Sequence, residues 1–417
     1  MKLIAEAPTT IHAVRHAPRW FPALHQLADG TFLLNIETGY DAHFSPCGRW
    51  RSFDGAKTFL EEEENTPRCQ ITHSFSDGRF FDMDGYGFLD PKTEDTYHFY
   101  GAWSAPDAKG SSGHSAFYTG AHEKGEDWLG REDGGVLRDT FSIYAPSILP
   151  TPLNSMAHGY PHHPWWPLIN KLYSPDVNSD EIMMGINITD TQQFDGRLLS
   201  VGYGPHKVDV NTTDRSSVFC FESRDDGHSW REIGVVARDN GDTPEGFNEA
   251  TLTPLLNGRL HSVIRGGDIL FQNWSEDGGK TWSTPAPISL VDSDIVPRMV
   301  WPRVAKLEDG TLVLAYGRPG KHLVFDPTGT GENWQGHLDL HALELETQAE
   351  NGVPENQRLR GDTSVCTRYW DSGDYLSVVA ISPREMLVTY DVQNFVEHPG
   401  NAPIAGVRMV RVRLDEE

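Results

Sequence analysis

Short apolar or alternating runs, each entered through an Asp-Gly pair or a near variant, recur along the chain. They read ADGTFLLNI (Asp29), SDGRFFDM (Asp77), FDGRLLSVGYG (Asp195), LNGRLHSVIR (Asn257) and EDGTLVLAYG (Asp309). A degenerate sixth, SPREMLVTYD, ends at Asp391. Asp-Gly between strand-like runs is a hairpin signal, because both residues tolerate the positive φ of a tight turn. Helical periodicity is almost absent, so the pattern predicts antiparallel strands nearly throughout.

A second repeat lies between these hairpins. Ser275-Glu276-Asp277-Gly278-Gly279-Lys280-Thr281-Trp282 echoes Ser223-Arg224-Asp225-Asp226-Gly227-His228-Ser229-Trp230 about fifty residues earlier. Ser52 to Phe59 is a worn copy with Ala56 for Gly and Phe59 for Trp, and Asp326 to Trp334 keeps the glycines and the tryptophan. The Asp can accept from N–H groups of its own turn, Gly supplies the left-handed conformation, and the Ser/Thr hydroxyl closes the loop. The Trp then packs between neighbouring sheets with its N–H satisfied. Hairpin, strand, stapled turn, strand, repeated at this period, predicts four-stranded blades around an axis: an all-β fold, the β-propeller.

Six blades are expected, with seven as the alternative, because the gap from Asp77 to Asp195 is about twice a blade. Residues 140–180, rich in Pro and aromatics, read as an irregular insertion. Nothing resembles an interdomain linker, so residues 1–417 form one expected domain.

Lys and Arg total 35 against 60 Asp and Glu, a net charge of −25, which repels phosphate backbones and anionic membranes and makes neither an expected partner. Cys47, Cys69, Cys220 and Cys366 are far apart, without metal-ligand spacing, and read as free buried thiols. No glycine-rich nucleotide motif occurs, so no cofactor is expected. The start of the chain has no leader-like apolar run and suggests a cytoplasmic protein, or a secreted or periplasmic one if a leader was removed.

Propeller chemistry sits where inner strand ends converge, and ionisable residues stand at equivalent strand ends: Arg19, Asp41, Glu249, Arg265, Arg318 and Tyr390. At this point the stretches EGFNEATL, NGRLHSVIR, SEDGGKTWSTP and EDGTLVLAYGRPG resemble the sialidase superfamily, most closely its bacterial sialidase-like branch. The resemblance covers most of residues 15–395 and is firmest from 190 to 335. It implies a carboxylate clamp of Arg19, Arg265 and Arg318, a Tyr390 nucleophile with Glu249 as its base, and Asp41 as acid/base. Arg15, which also precedes a proline by three, is the alternative to Arg19.

The implied chemistry is coherent. Guanidinium forks hold carboxylates in two-point fashion. A phenol avoids the repulsion that a carboxylate nucleophile would meet beside an acidic sugar, but needs a base to ionise. His43, two residues after Asp41, is a further substrate-binding candidate. His158, His162 and His163 with Trp165 and Trp166 suit a sugar-stacking rim better than a metal site, and no metal is expected.

The leading expectation is therefore a sialidase-like exo-glycosidase cleaving a terminal, acidic sugar from an oligo- or polysaccharide. A propeller lyase or rhamnosidase-type enzyme acting on uronate-containing glycans, using His, Tyr and Arg, is one alternative. A non-catalytic carbohydrate-binding propeller is the other.

Overall fold

The computed structural model describes residues 1–15, 19–37, 47–66, 71–75, 80–89, 96–104, 186–204, 216–227, 230–238, 241, 243, 246–359 and 374–416. Strands β1 (Lys2–Ala5) and β2 (Thr9–Val14) precede the first blade, β3 (Trp20–Gln26), β4 (Phe32–Glu37), β5 (Cys47–Ser52) and β6 (Leu60–Thr66). Next come β7 (Ile71–Ser74), β8 (Phe80–Leu89), β9 (Thr96–Ser104), β10 (Ile186–Phe194), β11 (Arg197–Gly204), β12 (Ser217–Ser223) and β13 (Trp230–Ala237). The third blade holds β14 (Phe247–Asn248), β15 (Thr253–Pro254), β16 (Leu260–Gly266), β17 (Ile269–Ser275) and β18 (Ala286–Pro287). The fourth is β19 (Arg303–Lys306), β20 (Leu312–Gly317), β21 (Lys321–Asp326) and β22 (Gln335–Asp339). Helix α1 (Leu340–Glu350) leads to β23 (Leu376–Ser382), β24 (Glu385–Phe395) and β25 (Ile404–Asp415). The last sheet is completed by β1 and β2, both antiparallel to β25.

The fold is an all-β propeller, but the described strands form five sheets, five blades in place of the six expected or the seven held as alternative. Each hairpin marker falls between paired antiparallel strands: β3–β4, β7–β8, β10–β11, β15–β16, β19–β20 and β23–β24. The second and third units, however, share one seven-stranded sheet, ordered β10-β11-β12-β13-β9-β8-β7. Pairing of Trp230 with Tyr97, and of Asn187 with Tyr86, makes the join. Counting hairpins therefore overcounts blades. The insertion expected at 140–180 lies outside the described residues.

Middle strands bury both faces, which is why they read as continuous apolar runs. In β20, Val313 and Ala315 pack with the fifth blade, while Leu312, Leu314 and Tyr316 pack with the third. Further interblade cores join the second sheet to the third (Val201 and Cys220 with Leu252 and Ile264) and the fifth blade to the first (Leu387 and Val407 with Leu34 and Ile36). The first and second sheets meet where Ala28 N–H donates to Ser74 Oγ at 2.7 Å. The ring is thereby closed. Cys220 is a buried free thiol, pushed up to about 12 by burial.

The stapled turns join the last two strands of a unit: β5–β6, β12–β13, β17–β18 and β21–β22. Thr281 N–H and Lys280 N–H donate to Asp277 Oδ1 at 2.9 and 3.1 Å, and Thr281 Oγ1 donates to Oδ2 at 2.6 Å. Asp54 makes the same set with Lys57 and Thr58. Trp282 and Trp230 each turn their indole N–H back to a turn carbonyl, of Gly279 and Gly227. Asp326, fully buried, accepts from the N–H groups of Thr328, Gly331 and Glu332 at 2.8, 2.6 and 3.0 Å. Burial opposes its charge, yet the Thr328 hydroxyl and these N–H groups hold its carboxyl below the usual range. Replacing Asp326 by Ala strands buried donors and should lower stability by about 1–3 kcal/mol in urea unfolding. Asp54→Ala, at an exposed turn, should cost less.

His261 on β16 is fully buried, its Nε2 3.1 Å from Gln272 Oε1, and burial drives its pKa down to about 4. Above the ordinary imidazole value it is neutral in both folded and unfolded chains. As pH falls from about 6.5 toward 4 only the unfolded chain takes up the proton, so stability is lost across that window. The unfolding midpoint of His261→Gln should fall less between pH 7 and pH 5 than that of the wild type; equal slopes would assign the acid sensitivity elsewhere.

Candidate active site

Register locates the hub. Phe21, Glu249, Trp301 and Tyr375 each stand eight residues before a hairpin position, at Asp29, Asn257, Asp309 and Pro383. Each therefore opens the inner strand of its blade. Backbone conformation marks the same places: of ten non-glycine residues with positive φ among those described, six are Phe21, Glu249, Val300, Trp301, Arg318 and Asp374. Such residues cost on the order of 1–3 kcal/mol apiece and persist where the surroundings over-determine them.

All five sheets contribute to one contact network. Glu249 Oε2 accepts from Arg265 Nη1 at 3.2 Å and from the Trp301 N–H at 2.8 Å. The Trp301 ring lies 6.2 Å from Tyr375, edge-on, and its indole N–H reaches the Thr189 carbonyl of β10 at 3.4 Å. Phe21 meets Tyr375 at 3.9 Å between ring centroids. The Arg318 guanidinium lies 5.1 Å from the Tyr375 ring centroid. Register explains the Glu249–Arg265 pair, since Asn248 stands opposite Arg265 across β14 and β16.

Arg303 was not anticipated. Its guanidinium covers the Trp301 ring at 4.5 Å and donates to the Thr189 carbonyl at 2.9 Å. Burial lowers its pKa to about 10 against the opposing pull of Asp190 and Glu249, so it stays cationic at neutral pH. Burial also raises Asp190, whose Oδ2 accepts from the Leu252 N–H at 2.9 Å.

Of the residues expected from sequence, Glu249, Arg265 and Arg318 come together. Tyr390 does not join them. It is fully buried on the face of β24 that packs against the fourth blade, alongside Met386, Val388 and Val392. Its hydroxyl donates to Glu344 Oε1 at 2.5 Å, and Arg408 Nε donates to the same oxygen at 2.6 Å. Burial, then the charge of Glu344, raises the phenol well above its ordinary value. The tyrosine brought to Arg318 is Tyr375. Alternation in MLVTYDV was the available signal for Tyr390, and the eight-residue offset was the signal for Tyr375.

Arg19 turns aside: its Nε donates to His12 Nε2 at 3.1 Å, while its carbonyl accepts from Gln393 at 2.7 Å. Arg15 is exposed. Asp41, His43 and the cluster from His158 to Trp166 lie outside the described residues.

Residues 175–365 match the family described as a BNR repeat-like domain. Over those residues, under half of the chain, the sequence is similar to that family, in keeping with the repeated turns and the propeller fold. No curated protein sequence matches it. Among solved structures it is similar to a protein of unknown function from Dyadobacter fermentans, at 16% identity and a TM-score of 0.59, covering 99% of this chain and 100% of that one. It is also similar to the Penicillium chrysogenum alpha-L-arabinanase complexed with arabinobiose, at 12% identity and a TM-score of 0.53, covering 97% and 98%. A Hadza microbial sialidase matches at 14% identity and a TM-score of 0.50, covering 98% of this chain and 68% of its own.

Because Tyr390 donates to a buried carboxylate, Tyr390→Phe should lose about 1.5–3 kcal/mol of stability in urea unfolding. An unchanged midpoint would count against the buried pair.

Proposed function

We propose that the chain is a glycoside hydrolase acting at the hub, on a terminal sugar of an oligo- or polysaccharide. The observation that carries this reading is the convergence of Glu249 and Arg265 from the third blade, Trp301 and Arg318 from the fourth, and Tyr375 from the fifth. In this reading Tyr375, not Tyr390, is the nucleophile. Its phenol ionises as Glu249 takes the proton, and its oxygen attacks the anomeric carbon. Arg265 and the Trp301 N–H hold the Glu249 carboxylate in one orientation, at 3.2 and 2.8 Å. Trp301 contacts both partners, which supports the pairing of base and nucleophile.

Asp41 remains the proposed acid/base, protonating the leaving oxygen and then activating water, so the anomeric configuration is retained. Arg318, over the Tyr375 ring, and Arg265 supply the cations that an acidic sugar needs against a net charge of −25. Arg19, bonded to His12, is not part of the clamp in this reading.

The test is a panel of chromogenic sialosides, uronosides, rhamnosides, fucosides and arabinofuranosides, with product configuration followed by NMR. On the substrate that is cleaved, Glu249→Gln should lower kcat by about 100-fold or more. Tyr375→Phe should abolish the covalent intermediate, and Tyr390→Phe should retain turnover at temperatures where it stays folded. Inversion at the first turnover, or full activity in Tyr375→Phe, would sink the assignment.

A further inference from the structure

Arg318 reaches Tyr375 from a tight turn between β20 and β21, closed by its own N–H donating to the Gly320 carbonyl at 3.1 Å. Two glycines allow the turn. A Cβ on Gly317 would stand 2.1 Å from the Asp374 carbonyl oxygen, so the turn packs directly on the residue before Tyr375. A Cβ on Gly320 would stand 2.6 Å from His322 Nε2, so its absence lets that imidazole in.

The imidazole lies 2.9 Å from the Pro319 carbonyl oxygen through Nε2. A carbonyl only accepts, so Nε2 carries hydrogen, and the neutral ring must accept at Nδ1. The group 3.1 Å from Nδ1 is His337 Nε2, which is then the donor. The chain runs His337 to His322 to Pro319, each link with one defined hydrogen. The groups around it are Tyr316 from β20, at 5.2 Å from the His322 ring, and Asp339 from β22, whose carboxylate is 3.9 Å from His322 Nδ1. Asp292, from the loop before β19, lies on the His337 side, where its Oδ2 accepts from the Gly336 N–H at 2.8 Å.

We propose that His322 is a positioning residue for Arg318, and that the aim of Arg318 depends on the chain from His337 through His322 to Pro319 keeping one donor at each link. The role in turnover rests on the function proposed above; the positioning itself does not. A first proton can be accommodated if His337 moves its own hydrogen to Nδ1. A second sets donor against donor across 3.1 Å. Burial, and then the neighbouring His322, hold His337 below its ordinary imidazole value, against the opposing pull of Asp339 and Asp292. The lowering of His337 favours the state in which the two rings stay bonded, and the Nε2 donor to Pro319 holds the turn.

The test uses the full chain and two variants. His322→Phe keeps a ring but removes the donor to Pro319; His322→Gln keeps a donor that cannot titrate. The Arg318 Nε–H resonance, identified by its loss in Arg318→Lys, reports the turn without any substrate. At neutral pH it should be displaced from its wild-type position in His322→Phe and stay near that position in His322→Gln. On any 4-nitrophenyl glycoside the wild type cleaves, His322→Phe should raise KM by about 5–10-fold, the equivalent of one hydrogen bond, with kcat little changed. His322→Gln, which keeps a donor, should hold KM near the wild-type value. An Arg318 resonance indifferent to His322→Phe would overturn the positioning role, whether or not the chain cleaves a glycoside. A chain inert on every glycoside, with the resonance behaving as expected, would overturn the hydrolase reading alone.

Discussion

Every sheet of a closed ring has a neighbour on each face, and this two-sided burial governs the rest of the molecule. A middle strand such as β20 cannot spare one face for solvent, so both sets of alternating residues are apolar. Polar chemistry is driven to the strand ends, where the backbone leaves the sheet. At the outer ends, acidic side chains such as Asp277 and Asp326 satisfy the turn's own N–H groups. At the inner ends, Glu249 pairs with Arg265 within one blade, and Arg318 lies over Tyr375 of the next.

The two kinds of end differ in backbone character. The outer turns mostly place glycine where left-handed geometry is required, at Gly55, Gly227, Gly278 and Gly279, with only the small Ala56 and Asp226 beside them. The inner ends place Phe21, Glu249, Trp301 and Arg318 there, residues for which that geometry is costly. The difference is intelligible if side chains at the inner ends are needed in fixed directions. Trp301 illustrates the point. Its N–H is committed to Glu249 and its indole to Thr189, with Arg303 above the ring.

What could be read from the sequence was local. Hairpin and staple each depend on residues within one turn, so their positions were legible. The blade number was not, because it depends on β9 pairing with β13 and β8 with β10, strands remote in sequence. Glu249, Arg265 and Arg318 were legible as charges at repeated strand ends. Tyr390 misled because it too lies near the end of an apolar run, yet alternation sends it into the core with Glu344 and Arg408. Tyr375 carried no charge to draw notice and lay before its strand. Arg19 was chosen by its place before the first Asp-Gly hairpin, which says nothing of the neighbouring His12 that takes up its Nε.

The last sheet joins strands from opposite ends of the chain: Lys2–Ala5 and Thr9–Val14 both lie along Ile404–Asp415. That seam is held by backbone pairing and by Arg408, which reaches the Pro8 carbonyl at 2.9 Å and Thr10 Oγ1 at 2.7 Å. Peeling away the first fourteen residues would leave a twelve-residue strand with an open edge. Such an edge is a template for another copy of the same strand, so the N-terminal segment also guards the molecule against self-association.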